Sequence, residues 1–270
     1  MEPESPTEDG DAAAVDLACQ ALVAGGVTQA EALLRDVVSR APATYQLVRD
    51  VDGKKEIRFW DQNEFLYYVQ WHNAHGTSHA ATWKPSAYPR AHYYLGFINV
   101  KLKRYEQAVT FLKSGAALEP TNLKFGCELA QALIGMRQLV EAAALYVDLA
   151  GTDLSPHVSP LDIARANRGC GFVFIELGEL DEARTAYLRS LKFEPESKLA
   201  KAQLAYVEEV RNGRAPLPGR IVDAPGRDLA QCKSCGRTGQ PGTFRGLSFV
   251  CESCDSPKSR PWWAFWKRGS

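Results

Sequence analysis

The sequence predicts a mostly α protein: a solenoid of short helical hairpins, interrupted by an inserted β-hairpin and followed by a small cysteine-rich module. Three observations point there. The stretch 89–122, PRAHYYLGFINVKLKRYEQAVTFLKSGAALEPTN, reads as two short antiparallel helices with small residues placed for close contact. Its pattern returns along the chain at a fixed offset. Four of the seven cysteines stand as two C-x2-C pairs near the C-terminus.

In the first helix of that stretch, Leu95 and Gly96 let a partner helix come close. The second helix carries Ala108 at the crossing point, with apolar Phe111 and Leu112 beyond it. Pro120 then stops it, because proline lacks an N–H and clashes with the preceding turn. One such hairpin cannot cover its own apolar flank, so neighbours are required. A step of about 34 residues, a common helical-repeat period, lands on Leu123, with Leu129, Ala130, Ala142 and Tyr146 in matching slots. After a Gly/Asp/Ser/Pro loop (151–160) the pattern restarts near Ala164, with Gly171, Ala183, Tyr187 and Pro195. The endings Leu118-Glu119-Pro120 and Phe193-Glu194-Pro195 match independently. Near the start, Leu17, Ala18, Ala30, Leu34 and Pro42 keep the same offsets.

These residues resemble the tetratricopeptide-repeat (TPR) family over about half the chain, as three good repeats and one degenerate repeat. His92, Gly126 and Asn167 stand where the family places a large aromatic early in the first helix. The resemblance implies a concave groove lined by the first helices. Its counted positions are Arg90, Lys124 and Arg165; Tyr93, Cys127 and Arg168; and Phe97, Gln131 and Phe172. Such a groove is basic and aromatic, suited to an acidic or aromatic peptide. Family members that grip a chaperone's C-terminal carboxylate use a Lys/Asn/Asn/Lys/Arg set, and that set is not found here.

The remaining segments follow from composition and turn signals. Residues 1–11 read as a disordered acidic tail, and 12–43 as the degenerate repeat with Thr28 as an N-cap. The insert, 44–88, contains two strands, 45–51 and 54–60, joined by Asp52-Gly53, a pair suited to a tight hairpin turn. Asp61 and Glu64 resemble a capping box for a helix over 65–71; the histidine-rich stretch after it, with His72, His75 and His79, reads as a surface loop. The insert's aromatics (Trp60, Phe65, Tyr67, Tyr68, Trp71, Trp83 and Tyr88) either pack it onto the next repeat through Tyr93 and Tyr94 or form a wall for a ligand. Repeats occupy 89–211, the last helix (197–211) capping the solenoid with Leu199, Leu204, Val207 and Val210 inward. A linker, 212–228, precedes the cysteine module at 229–256 and a Trp-rich basic tail at 257–270.

Cys232 and Cys235, then fifteen residues, then Cys251 and Cys254 form a zinc pattern, and the segment resembles a zinc ribbon. Each knuckle places two thiolates on one side of a tight turn, and two knuckles complete a tetrahedron around one Zn2+ ion. Strand pairing over 243–250 connects them. Four thiolates leave no open position for water or substrate, so the expected role is structural; iron also accepts this geometry. Repeats followed by a tetrathiolate module are similar in layout to the lipopolysaccharide assembly protein B family, without its N-terminal membrane helix. Cys19, Cys127 and Cys170 read as small residues on helices in a reducing compartment.

Formal net charge is zero, but it is unevenly placed: 21 bases against 28 acids up to Val210, and 11 against 4 from Arg211. No apolar run approaches the ~18 residues needed to span a bilayer, and the acidic start lacks the features of a signal peptide. Cytoplasm is the expected compartment. No nucleophile elbow, phosphate loop, fixed carboxylate pair or open metal site is visible. The expected function is therefore non-enzymatic: an adaptor whose groove binds a peptide segment, with the ribbon as a second contact surface. Two alternatives stay open. One is nucleic-acid binding by Arg214, Arg220, Arg227, Lys233, Arg237 and Arg245; the other is a metal- or redox-responsive regulator. The terminal Trp262, Trp263, Phe265 and Trp266 either pack on the protein, dock on a partner or contact a membrane interface peripherally.

Overall fold

The computed structural model describes residues 8–77 and 80–215, together with the backbone of 242–245 and 248–251. Two compact units divide them: one reaches to Met136 and includes Thr152–Ile163, and the other comprises Arg137–Gly151 with the described residues from Ala164 on.

The first unit is a stack of paired helices. α1 (Glu8–Val23) packs on α2 (Val27–Ser39), and α4 (Tyr88–Lys101) packs on α5 (Tyr105–Leu118) and on α6 (Leu123–Gly135). α2 also packs directly on α4 across the intervening insert. Val15, Ala18, Ala30, Leu34, Ala91, Leu95 and Ile98 form one buried cluster across α1, α2 and α4. A Cβ built on Gly96 would lie 2.4 Å from Leu112 Cδ2, so only glycine lets α5 approach this closely. α5 ends at Leu118, immediately before Glu119 and Pro120, as the sequence implies.

The insert forms a three-stranded sheet in the order β1 (Val48–Val51), β2 (Lys54–Phe59), β3 (Ala81–Pro85), with α3 (Gln62–Ala74) connecting β2 to β3. The β1–β2 hairpin turns on Asp52 and Gly53, both at positive φ (52° and 74°), the combination that a twisted two-residue turn demands. β3 is a difference from expectation: it runs parallel to β2, pairing Ile57 with Trp83, and makes α3 the crossover of a β-α-β unit. Ile57, Phe59 and Tyr68, with Phe65, Val69 and Ala81, give the insert a core of its own. Asp61 caps α3 by accepting from the Asn63 and Glu64 amides.

In the second unit, α7 (Leu139–Ala150), α8 (Pro160–Glu176) from Ala164 onward, α9 (Leu180–Phe193) and α10 (Lys198–Arg211) carry the same chemistry. Gly171 of α8 admits the Tyr187 ring of α9, whose Cε2 would lie 2.6 Å from an added Cβ. Ala164, Ala183 and Tyr187 are buried in their expected slots, as are Ala142 and Tyr146. α10 packs on α9 through Ala200 and Val207, while Leu199 is 59% exposed rather than inward. The burial stripe is therefore set by Ala200.

Two further expectations shift. α1 starts at Glu8, so the acidic segment up to Asp11 is partly helical, and Asp11 is buried against Arg40 and Tyr88. α2 starts at Val27 after Gly26, which places Thr28 inside the helix rather than at its cap. The turn at Gly25 (φ 84°) starts the helix early. Farther on, β4 (Gly242–Arg245) and β5 (Ser248–Cys251) pair antiparallel, Thr243 opposite Val250, in agreement with the strand pairing expected between the two cysteine knuckles. Among the described residues, no helix is long and apolar enough to cross a membrane.

Candidate functional site

The face formed by α4 and α6 is the candidate site, and the chain itself occupies it. β2 ends at Phe59 and α3 begins at Gln62, so Trp60 and Asp61 form a tight corner that projects from the sheet. Trp60 is 9% exposed and enters the helix cluster of Tyr93, Ala108, Leu112, Phe125 and Ala132. Its ring centre lies 5.0 Å from that of Tyr93 and 5.6 Å from that of Phe125, both edge-on, the arrangement favoured by aromatic quadrupoles. The Lys124 ammonium stands 5.1 Å from the same ring.

Glu64 closes the corner. One carboxylate oxygen accepts from the Trp60 amide at 2.7 Å, and the other is ion-paired with Lys124. Burial by itself would lower the pKa of Lys124, but the charges of Glu64 and Asp162 outweigh that effect and raise it. An aromatic ring and a carboxylate one helical turn later are thus read by two aromatics and one cation.

Beneath the ring lies Glu119, the C-cap residue of α5, only 3% exposed. Its carboxylate accepts from Trp60 Nε1 at 2.8 Å, Asn122 Nδ2 at 2.9 Å and Ser86 Oγ at 3.2 Å. The Tyr45 hydroxyl stands 3.5 Å away. Burial pushes the Glu119 pKa up to about 7, against the pull of the Asn122, Trp60 and Ser86 donors. Burial and the neighbouring Glu119 likewise raise the Tyr45 phenol.

The counted groove positions fall into distinct settings. Arg90 is 7% exposed, ion-paired with Asp16 and bonded to the Ser86 carbonyl, so it holds α1 rather than facing a groove. Tyr93 and Lys124 face the insert. Phe97 is half-buried beneath the Lys101 ammonium, and Gln131 is half-buried on α6. In the second unit, Arg168 of α8 is ion-paired with Glu194 and contacts Ser190, whereas Arg165 and Phe172 are half-buried on the same helix. Cys127 and Cys170 are buried, and no disulfide joins them or Cys19.

The insert's aromatics divide. Trp60 joins the helix cluster of the α4/α6 face and Tyr88 that of α1, α2 and α4; Phe65 stacks on Trp83 and packs with Phe59 and Tyr68 inside the insert. Tyr67 donates to the Val158 carbonyl, and His157 stacks on Phe59. Trp71 stacks on His75, and His72 bonds Thr77 through Nδ1; His79 lies outside the described residues. Arg214 is ion-paired with Glu209. Cys251 is the last residue of β5, opposite Gly242. Cys232, Cys235 and Cys254, the side chains of the other linker and ribbon bases, and Trp262, Trp263, Phe265 and Trp266 lie outside the described residues.

Counting positions missed Trp60, Glu64 and Glu119 as a site. A signal was present. Glu119 and Glu194 are repeat-equivalent C-cap residues, with φ, ψ of −131°, 77° and −137°, 76°. Arg168 precedes Glu194 by 26 residues, and Tyr93 stands at the same spacing before Glu119. Where one repeat neutralises its C-cap carboxylate with its own arginine, the other meets it with Asn122 together with Trp60 and Ser86 of the insert.

No family model matches the chain, and no curated protein matches it. Among solved structures it is similar to TTC0263, a thermophilic TPR protein of Thermus thermophilus, at 18% identity over 76% of this chain and 84% of that one, with a TM-score of 0.48. MamA of AMB-1 is similar at 16% identity over 75% and 82% of the two chains, with a TM-score of 0.42.

Proposed function

We propose that this chain is a non-catalytic adaptor of the tetratricopeptide type, which holds a protein segment against the first helices of its hairpins and carries a structural zinc ribbon as a second contact surface. The observation that supports it most is the docking of Trp60 and Glu64. The α4/α6 face already accommodates a protein segment through an aromatic pair, a cation and a buried acceptor, the chemistry by which interfaces anchor hot-spot residues. On α8, Arg165 and Phe172 offer basic and aromatic character to an acidic or aromatic partner, beside Arg168, whose guanidinium is ion-paired with Glu194. The reading places the protein in the cytoplasm, where Cys19, Cys127 and Cys170 stay reduced.

The ribbon would consist of Cys232, Cys235, Cys251 and Cys254. The β4–β5 pairing, which ends on Cys251, is the element such a module places between its knuckles. When bound, zinc supplies folding energy to a segment too small for an apolar core. Elemental analysis of the purified chain should find one zinc per chain, lost in Cys251→Ser; a metal-free wild-type chain contradicts this part.

The adaptor role is tested by affinity capture from native extract. The full chain, a chain ending at Arg211 and an Arg165→Glu/Arg168→Glu variant are compared at equal helical content. Loss of a reproducible partner on charge reversal supports the α8 surface. Retention of that partner, or no reproducible partner, contradicts it.

A further inference from the structure

We infer that the Trp60–Glu64 corner is an intramolecular ligand, and that the α4/α6 face binds in its place a partner segment of the same chemistry: a tryptophan at the start of a helix with a carboxylate one turn later. This rests on the adaptor reading and specifies both the ligand and its control. Four observations carry it.

First, α2 packs directly on α4, so the helix stack is continuous past the insert, whose other tie to the helices is β3 against α1 with the Arg58–Glu8 ion pair. Second, the insert has its own core of Ile57, Phe59 and Tyr68, distinct from the two helix clusters. Third, it leaves and rejoins the stack at one neck, where the Tyr45 and Tyr88 rings meet edge-on at 6.3 Å. A segment inserted through a narrow neck and cored separately can undock as a body. Fourth, the contact on the α4/α6 face is one aromatic anchor surrounded by polar groups. Among the described residues, Trp60 is the insert's only member of that helix cluster, and around it stand the Lys124–Glu64 ion pair and the Glu119 acceptor.

The internal repeat explains why this face, and not the equivalent one, is built to receive. Arg168 satisfies Glu194 from within its own hairpin. Tyr93 at the equivalent position gives its hydroxyl to Glu128 instead, so Glu119 takes its donors from Asn122, Ser86 and Trp60, with the Tyr93 ring as an aromatic wall beside it. The occupant must bring an N–H to Glu119, a flat ring to Tyr93 and Phe125, and an anion to Lys124. Tryptophan followed by glutamate meets all three.

A tethered ligand competes at an effective concentration on the order of millimolar for a short link, so the docked insert masks the face from weak partners. The probe is a labelled peptide with the sequence of residues 59–70, titrated by fluorescence anisotropy into the full chain. Wild type should bind it at least about tenfold more weakly than the Trp60→Ala/Glu64→Ala variant, and adding Lys124→Glu to that variant should abolish binding. If the double variant loses helical signal, the single Glu64→Ala chain, which leaves no cavity, is titrated instead and should also bind more tightly than wild type. Equal affinity for wild type and a folded variant, or binding indifferent to Lys124→Glu, overturns the inference. Because the α8 charge reversal is a separate experiment, failure here leaves the adaptor reading to stand or fall on its own test.

Discussion

The indole N–H of Trp60 donates to the carboxylate of Glu119 at 2.8 Å, joining residues 59 positions apart at the point where the insert meets the helix stack. The acceptor is the C-cap residue of α5, and its repeat-equivalent, Glu194, is ion-paired with Arg168 instead. One carboxylate position thus serves two ends, closing a hairpin on itself or receiving a foreign ring.

Removing only the donor isolates that bond. Trp60→Phe keeps a ring against Tyr93 and Phe125 but deprives Glu119 of its shortest hydrogen bond. Because a buried acceptor is left short of a partner, the loss should be about 1–2 kcal/mol of stability. Urea unfolding followed by far-ultraviolet circular dichroism measures it, and a loss within error of zero would show that Glu119 does not depend on Trp60.

Glu119 also sets a pH dependence. Its folded-state pKa, about 7, lies above the ordinary 4.5 because burial disfavours the carboxylate. The fold therefore holds the proton more tightly than the unfolded chain does. This group's contribution is fully present below pH 4.5, declines as pH rises toward 7, and is constant above that. Glu119→Gln, which cannot ionise, should gain on wild type by up to roughly 3 kcal/mol between pH 4.5 and pH 8. Parallel stability–pH curves for the two proteins would contradict the assignment.

Close helix approach gives a prediction independent of the site. An added Cβ at Gly96 would meet Leu112, which is fully buried and cannot turn outward. Gly96→Ala should cost about 1–3 kcal/mol by overpacking, despite alanine's better helix propensity. Thermal unfolding checks it; a gain in stability would mean that α4 and α5 separate freely.

The repeat comparison predicts a gain as well as losses. Tyr93→Arg places a guanidinium where Arg168 stands in the other hairpin, within the same spacing of its C-cap glutamate. It should pair with Glu119 and expel Trp60. Trypsin should then cut at Arg49, Lys54 or Lys55 faster than in wild type while α4–α6 keep their helicity. Unchanged cleavage would show that Glu119 does not choose between the two donors.

Much of this fold was legible because it rests on local steric rules. Small residues at Gly96, Ala108, Gly171 and Ala183 mark helix contacts, Pro120 and Pro195 follow helix ends, and Asp52-Gly53 marks the hairpin. β3 was not legible: Ala81–Pro85 shows no apolar alternation, since its pairing partner β2 lies far back in sequence and α3 covers the gap. The site was half legible. Position counting found Tyr93 and Lys124 but assumed an empty groove, and the glutamate of Leu118-Glu119-Pro120 read only as part of a helix ending. Which residue a buried acceptor recruits depends on long-range packing, and only the mismatch between Tyr93 and Arg168 hinted at it. Likewise Arg90 sits at a groove position, yet its guanidinium serves Asp16 and Ser86 because α1 lies within reach.

The most direct test of the central claim, that the insert is a docked ligand rather than part of the helix core, is native-state hydrogen exchange of the wild-type chain. Amides of β2 and α3 should exchange together through an opening that leaves α4, α5 and α6 protected, with at least about tenfold faster exchange than those helices. If β2 and α3 exchange only in step with α4–α6, through one shared unfolding event, the insert is a permanent part of the core and the account is wrong.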